Sequence, residues 1–271
     1  MKKFEGISLA TDLDGTLLKS DKTISIENIK AIEYFKSEGG LFTFITGRIP
    51  EGIKPVFDVL KPNAPIGCIN GAGVYDIFKQ EFLWCETLSP LVLELVEYVD
   101  KSFPQVGIEV ILPDKIYFCK DNQSTIKHRK DEDFEPLKKH YKDVDEPFSK
   151  ILFADEYSKI DELSKALSSH PLCEKFDFVR SDLEYYEIMP KGIGKGDALN
   201  KLSEITGIDK KNIIAVGDND NDVTMLQTAG ISFAVENASK KAKEAADYIT
   251  VSNEEHALKA IIDMIDKKEI L

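Results

Sequence analysis

The chain has 271 residues, 42% of them hydrophobic and 31% charged, with a formal net charge of −13. That length is comfortable for two domains, and the composition is ordinary for a packed globular protein. The acidic balance excludes a general nucleic-acid or anionic-membrane binder, because no basic surplus exists to neutralise phosphates. The densest basic run, Lys127 to Lys130, is followed at once by Asp131, Glu132 and Asp133, and reads as a solvated helix face or loop. No segment approaches 18 consecutive apolar residues and the N-terminus carries no sustained apolar stretch, so the expected location is cytoplasmic. Cys68, Cys85, Cys119 and Cys173 are scattered, without CxxC or zinc-type spacing, and are expected as four single buried thiols. The four histidines are equally isolated.

In chain order, residues 5–11 (EGISLAT) predict a short buried strand and residues 26–38 an amphipathic helix. Ile26, Ile29, Ile32 and Phe35 recur at helical spacing, with Ser25 placed to cap the helix and Gly39-Gly40 to end it. The apolar strand LFTFIT follows at 41–46, then a helix near 50–60, the strand PIGCIN at 65–70 and a turn at 71–73. Strand, helix and strand at this spacing make a βαβ unit, hence a parallel sheet. The C-terminal third repeats the pattern. A helix is expected over 195–206, a doubly buried strand over 212–216, a helix from near Asp222 and a strand over 231–235. Helices near 239–246 and 254–267 close the chain.

The middle differs. Between 82 and 188 the expected strands are FLWCE, VGIEVIL, KIYFCK, KILFAD, KFDFVR and EYYEIM, with helices over 90–102 and 157–169 and a polar stretch between. Strand pairs that follow helices indicate an α+β module with an antiparallel sheet. The expected organisation is therefore a doubly wound α/β core, residues 1–81 and 189–271, with an inserted α+β domain at 82–188. Hinges are expected near 78–82 and 188–192.

In an open parallel sheet, ligands collect at the carboxyl ends of strands. Four polar motifs fall at or near such ends: DLDGT at 12–16, TGR at 46–48, Lys195 in KGIGKG, and GDNDND at 217–222. Strand alternation puts Asp12 and Asp14 on one side, and Gly15 permits a tight turn whose amides can face an anion. Two such carboxylates suit a magnesium ion and a phosphoryl group, although a DxD taken alone is also compatible with a solvated turn. Asp218, Asp220 and Asp222 with Asn219 and Asn221 offer oxygen ligands for a hard cation. An EF-hand is ruled out, because its glycine and glutamate positions hold Val223 and Ala229. A surface turn or helix cap remains open for this loop by itself. Thr46 and Gly47 could meet phosphate oxygens, and Lys195 could balance the negative charge, with Lys191 as its rival.

The order DxDGT, TGR, Lys, GDxxND resembles the haloacid dehalogenase superfamily of phosphohydrolases. DLDGTLL, INGAGVY at 69–75, EIMPKGIGKGDAL at 187–199 and VGDNDNDVTML at 216–226 resemble its Cof-type subfamily, whose large α/β cap is inserted between the second and third motifs. One departure is Glu255-His256, where related proteins more often have Gly-Val.

The resemblance implies an α/β core with a cap, Mg²⁺ as cofactor, and a phosphomonoesterase working through an aspartyl-phosphate. Asp12 would be the nucleophile and a metal ligand. Asp14 would ligate through its backbone carbonyl and act as acid and base through its side chain. Asp218 would be the third protein ligand. Leu13 and Gly47 through their amides, with Thr46, Lys195 and Asn221, would hold phosphoryl oxygens, and Asp222 would stand behind the ligands. Arg48 is expected in a structural salt bridge. The expected substrate is a small phosphorylated metabolite such as a sugar phosphate, contacted by the cap, with no nucleic-acid or membrane partner and assembly no larger than a monomer or weak homodimer. At least one of Tyr185, Tyr186 and Glu187 is expected to pack in the cap core. A phosphomutase of the same superfamily, or a non-catalytic sensor on the same fold, is the alternative.

Overall fold

The computed structural model describes residues 2–132, 134–145 and 147–270; Asp133, in the acidic run after Lys130, lies outside these. In chain order the elements are β1 (Ser8–Thr11), α1 (Ile26–Ser37), β2 (Leu41–Phe44), α2 (Pro50–Leu60), β3 (Ile66–Cys68), β4 (Gly73–Asp76) and β5 (Glu81–Cys85). Next come α3 (Val92–Ser102), β6 (Gly107–Ile111), β7 (Ile116–Lys120), α4 (Gln123–Asp131), β8 (Lys150–Ala154), α5 (Tyr157–Ser168), β9 (Phe176–Asp182) and β10 (Tyr185–Pro190). The chain closes with α6 (Lys195–Thr206), β11 (Ile213–Gly217), α7 (Val223–Thr228), β12 (Ile231–Ala234), α8 (Lys240–Ala245), β13 (Tyr248–Ile249) and α9 (Ala257–Asp266). Two units emerge: Met1–Gly47, Ile53–Trp84 and Gly194–Leu271 make one, Arg48–Gly52 and Cys85–Ile193 the other. No helix among the described residues is long and apolar enough to cross a membrane.

The first unit is built on a parallel sheet of order β13-β12-β11-β1-β2. β1 lies between β2 and β11, with Leu9 opposite Phe42 on one side and Ile214 on the other. Both β1 and β11 are buried along their whole length, as continuous apolar runs in a helix-covered sheet should be. Ser25 caps α1 by accepting from the Asn28 amide. The buried face of α1 departs from the apolar pattern, however. Ile26 is 55% exposed, while Asn28 is buried and its Oδ1 accepts from the Lys259 amide of α9. A buried polar group can thus take the place of a methyl face where a second helix offers a donor to its oxygen. β4 and β13 go beyond the sequence expectation: residues 69–71 form a 3-10 turn, and Gly73–Asp76 continues as a strand between β3 and β5.

The second unit is an antiparallel sheet of order β7-β6-β8-β10-β9. Alternate residues Ile108, Val110, Ile151, Phe153 and Ile188 join Leu95, Val99, Ile160 and Leu163 of α3 and α5 in one apolar core. Tyr186 packs against this core and stacks on Phe178. The intervening sheet positions carry charge: Lys150 Nζ lies 2.9 Å from Glu187 Oε1, and His128 Nδ1 lies 2.8 Å from Glu109 Oε2. His128 and Arg129 are therefore not a solvated face. His128 answers the fully buried Glu109, and Arg129 lies over the Phe118 ring; an unpartnered carboxylate at that depth would be strongly unfavourable. Of the four cysteines only Cys68 is fully buried, the others half-buried. Burial pushes the Cys85 thiol up to about 11 and that of Cys119 to about 12, so both stay protonated.

Candidate active site

β1 and β11 are adjacent and parallel, and the sheet grows outward from them in opposite directions, which is where a crevice opens at the strand ends. The Asp12 amide continues the ladder by donating to the Val216 carbonyl at 2.9 Å. That single bond sets DLDGT beside GDNDND. Lys195 opens α6 and its Nζ bridges the two loops, 2.6 Å from Asp12 Oδ1 and 2.5 Å from Asp222 Oδ1. All three side chains are sequestered: Lys195 is 1% exposed, Asp12 5% and Asp222 0%. The other oxygen of Asp222 accepts from the Asp218 and Asn219 amides, each at 2.9 Å, and so ties the loop from within. Asp218 Oδ1 accepts from the Thr16 hydroxyl at 2.8 Å. Gly15 makes this approach possible. Its φ is +82°, and a β-carbon there would lie 2.5 Å from Asp218 Oδ2.

Oxygens of Asp12, Asp218 and Asp222 lie within 4.8 Å of one another. Burial raises the Asp12 carboxyl well above its ordinary range; Lys195 opposes the rise, and Asp222 and Asp218 add to it. Asp218 is pushed up to about 6, again by burial first and then by Asp222. Burial alone would pull the Lys195 ammonium down, but Asp12 and Asp222 outweigh it and raise it, so Lys195 stays charged. One ammonium facing three carboxylates leaves an uncompensated negative site. An all-oxygen donor set with surplus negative charge fits a hard divalent cation.

The remaining residues singled out from the sequence fall in two groups. Thr46, Gly47 and Asn221 gather around Asn70: the Thr46 carbonyl accepts from the Asn70 amide at 3.0 Å, and Asn221 Nδ2 donates to Asn70 Oδ1 at 3.0 Å. Leu13 is buried between the two aspartates, its carbonyl accepting from the Leu17 and Leu18 amides. Others form ion pairs outside the cluster of three carboxylates. The Asp14 carboxylate pairs with Lys22 at 2.7 Å and is not among the three clustered carboxylates. Asp220 pairs with Lys241, Lys191 with Asp177, and Arg48 with Glu132, each at 2.7 Å. The sequence gives no role to Asn70 or to the side chain of Thr16, whose amide belongs to the turn expected to face an anion. Thr16 was signalled by its place in DLDGT, Asn70 only by an Asn-Gly at a strand end.

The turn carrying Asn70 is strained. Ile69 and Asn70 both have positive φ, 55° and 52°, and Gly71 follows at 94°. A β-branched residue there is unusual, and holding Ile69 in that region costs on the order of 1–3 kcal/mol.

Comparison with known proteins agrees with this architecture. A family profile described as haloacid dehalogenase-like hydrolase matches residues 9–262. The chain is 29% identical to the Bacillus subtilis 5-amino-6-(5-phospho-D-ribitylamino)uracil phosphatase YwtE, covering 95% of this chain and 97% of that one. It is 28% identical to a second phosphatase of that name from the same organism, YitU, over 91% and 93% of the two chains. The crystal structure of a haloacid dehalogenase-like hydrolase from Bacteroides thetaiotaomicron superposes with a TM-score of 0.84 at 26% identity, over 96% of this chain and 99% of that one. With its parallel-sheet core, its additional antiparallel unit and its match over most of its length, the chain belongs to the haloacid dehalogenase-like hydrolases, as a Cof-type phosphatase.

Proposed function

We propose that the protein is a Mg²⁺-dependent phosphomonoesterase of small phosphorylated metabolites, sugar or sugar-alcohol phosphates among them, acting through an aspartyl-phosphate. The observation that carries this reading is the buried Lys195 bridging Asp12 and Asp222 beside Asp218, at the ends of two adjacent parallel strands. The names of YwtE and YitU, which specify a phosphorylated ribityl compound, support the substrate class. The same reading takes residues 82–188 as a domain inserted into a core of 1–81 and 189–271, and the enzyme as a cytoplasmic monomer or weak homodimer.

Asp12 and Asp218, with the Asp14 carbonyl, would hold the metal. Both oxygens of Asp222 already accept hydrogen bonds, which suits it to fixing Lys195 and the loop. Bound Mg²⁺ would neutralise charge that otherwise repels the phosphate dianion. Asp12 attacks phosphorus, forming the acyl–phosphate bond as the phosphorus–ester oxygen bond breaks. Asp14 gives its proton to the departing alkoxide, then takes one from the water that attacks phosphorus and frees Asp12. Thr46, Asn221, the Leu13 and Gly47 amides and the Lys195 ammonium hold the phosphoryl oxygens throughout.

The test is phosphate release from a panel of sugar, nucleotide and cofactor phosphates, in Mg²⁺ and in EDTA. Turnover that EDTA abolishes and Mg²⁺ restores is the expected result. Undiminished turnover without metal refutes the metal role, transfer to a second sugar hydroxyl in preference to water identifies a mutase, and binding without turnover identifies a sensor.

A further inference from the structure

We propose that Asn70 is a positioning residue of the phosphate site, and that the strained turn at 69–71 exists to hold it there. This rests on the phosphate-site reading above. Three loops come together on the turn. The Asn70 amide donates to the Thr46 carbonyl at 3.0 Å, at the end of the second sheet strand. Its Oδ1 accepts from Asn221 Nδ2 at 3.0 Å, in the loop that carries Asp218 and Asp222. The same oxygen lies 2.8 Å from where a β-carbon on Gly47 would stand. Gly71 presses the turn against the start of α6: a β-carbon there would lie 2.1 Å from the Gly194 carbonyl oxygen and 2.5 Å from the Lys195 nitrogen. Neither backbone could retreat without moving the helix that presents Lys195.

Asn70 is 3% exposed, and a buried carboxamide persists where its hydrogen bonds are met. The backbone amide of this residue reaches a segment more than 20 residues away, and its carboxamide oxygen one 151 residues away. Asparagine is also one of the few side-chain-bearing residues that tolerate a left-handed backbone, so one residue supplies both the turn and the bridge. The backbone strain persists because surrounding contacts determine the conformation, a pattern concentrated at functional sites. Thr46, Gly47, Asn221 and Lys195 are the groups assigned to phosphoryl oxygens, and all four adjoin this turn through one of these contacts. A shift of the carboxamide would release Asn221, and a shift of the turn that carries it would release the Thr46–Gly47 segment as well.

Asn70→Gly separates the two functions, because glycine accepts φ near +50° and keeps the amide that meets Thr46, while removing the link to Asn221. The expected result is a folded protein with Tm within about 2 °C of wild type, kcat/KM lowered about tenfold to a hundredfold, and a matching rise in Ki for inorganic phosphate. Asn70→Asp keeps an oxygen for Asn221 to donate to, so its kcat should recover towards wild type while KM stays raised by the added charge. In a double-mutant cycle, Asn70→Gly should cost less than about threefold once Asn221→Ala is present. Unaltered kcat/KM and phosphate Ki in Asn70→Gly, multiplying losses in the cycle, or a kcat for Asn70→Asp no better than for Asn70→Gly each overturn the assignment. Failure of Asn70→Gly to fold also overturns it, since the side chain would then be structural. Wild-type protein that releases no phosphate from any substrate instead defeats the phosphate-site reading.

Discussion

Replacing Lys195 with methionine tests the electrostatic logic of the site directly. Methionine is of similar length and apolar, so the change removes charge with little change of volume. It leaves Asp12 and Asp222, whose oxygens stand 2.6 and 2.5 Å from the lost ammonium, with no counter-charge from it. Removing one partner of a buried ion pair costs about 3–5 kcal/mol, which at a few degrees per kcal/mol for a chain of this size is a Tm loss of roughly 6–20 °C. The Asp12 carboxyl, already raised by burial, should rise further, because Lys195 is the chief group opposing that shift. Losing a donor aimed at developing phosphoryl charge should lower kcat/KM by about 10²–10³. Lys191→Met is the control: Lys191 is exposed and pairs with Asp177 in the second unit, so its removal should change neither quantity measurably. Thermal unfolding and phosphate-release kinetics on the two variants decide the matter. Equal losses, or the larger loss in Lys191→Met, would refute the assignment of the phosphate-facing cation.

Asp14 should fail differently from Asp12. Its carboxylate lies outside the clustered trio, so Asp14→Asn should leave stability and Mg²⁺ affinity nearly unchanged. It should slow sugar-phosphate cleavage by about 10²–10⁴, yet give a burst of nitrophenol from nitrophenyl phosphate, because a nitrophenolate leaves without an acid while the water step still lacks its base. Asp12→Asn should form no phosphoenzyme with either substrate; a mass increment on its residue-12 peptide would contradict the nucleophile. A further prediction concerns the Glu109–His128 pair. Burial disfavours the charged imidazole, but Glu109, aided by Glu132 and opposed by Lys150, outweighs it and raises the pKa above 6.5. The pair therefore stabilises fully below about pH 6.5 and loses that contribution as pH rises through the raised value. Stability against pH by denaturant titration should fall across that interval in wild type and flatten in His128→Gln. An equal slope in both proteins would assign the pH dependence to other groups.

Much of the architecture is written in local pattern. The apolar runs SLAT, LFTF and NIIAV, separated by helical periodicity, already require a parallel sheet with covered faces. Polar residues at the ends of such runs mark the crevice, which is why Asp12, Thr46 and Asp218 can be picked out before any contact is known. What local pattern cannot carry is which distant segments become neighbours. Lys195 meets Asp12 across 183 positions and Asp222 across 27, because strand order sets β11 beside β1. The pairing of Lys195 rather than Lys191 with these carboxylates depends on where α6 begins against the turn at 69–71. The burial of Asn28 in place of Ile26 needed α9 to supply a donor, and the inward turn of His128 needed a carboxylate on β6. Asn70 is the clearest case: in the sequence it is an asparagine before a glycine, and only tertiary contacts make it a bridge between Thr46 and Asn221. Periodicity reports which face of an element is apolar, a property of the backbone repeat. Hydrogen-bond satisfaction of buried polar groups is a property of the neighbours, and those are decided only when the sheet assembles.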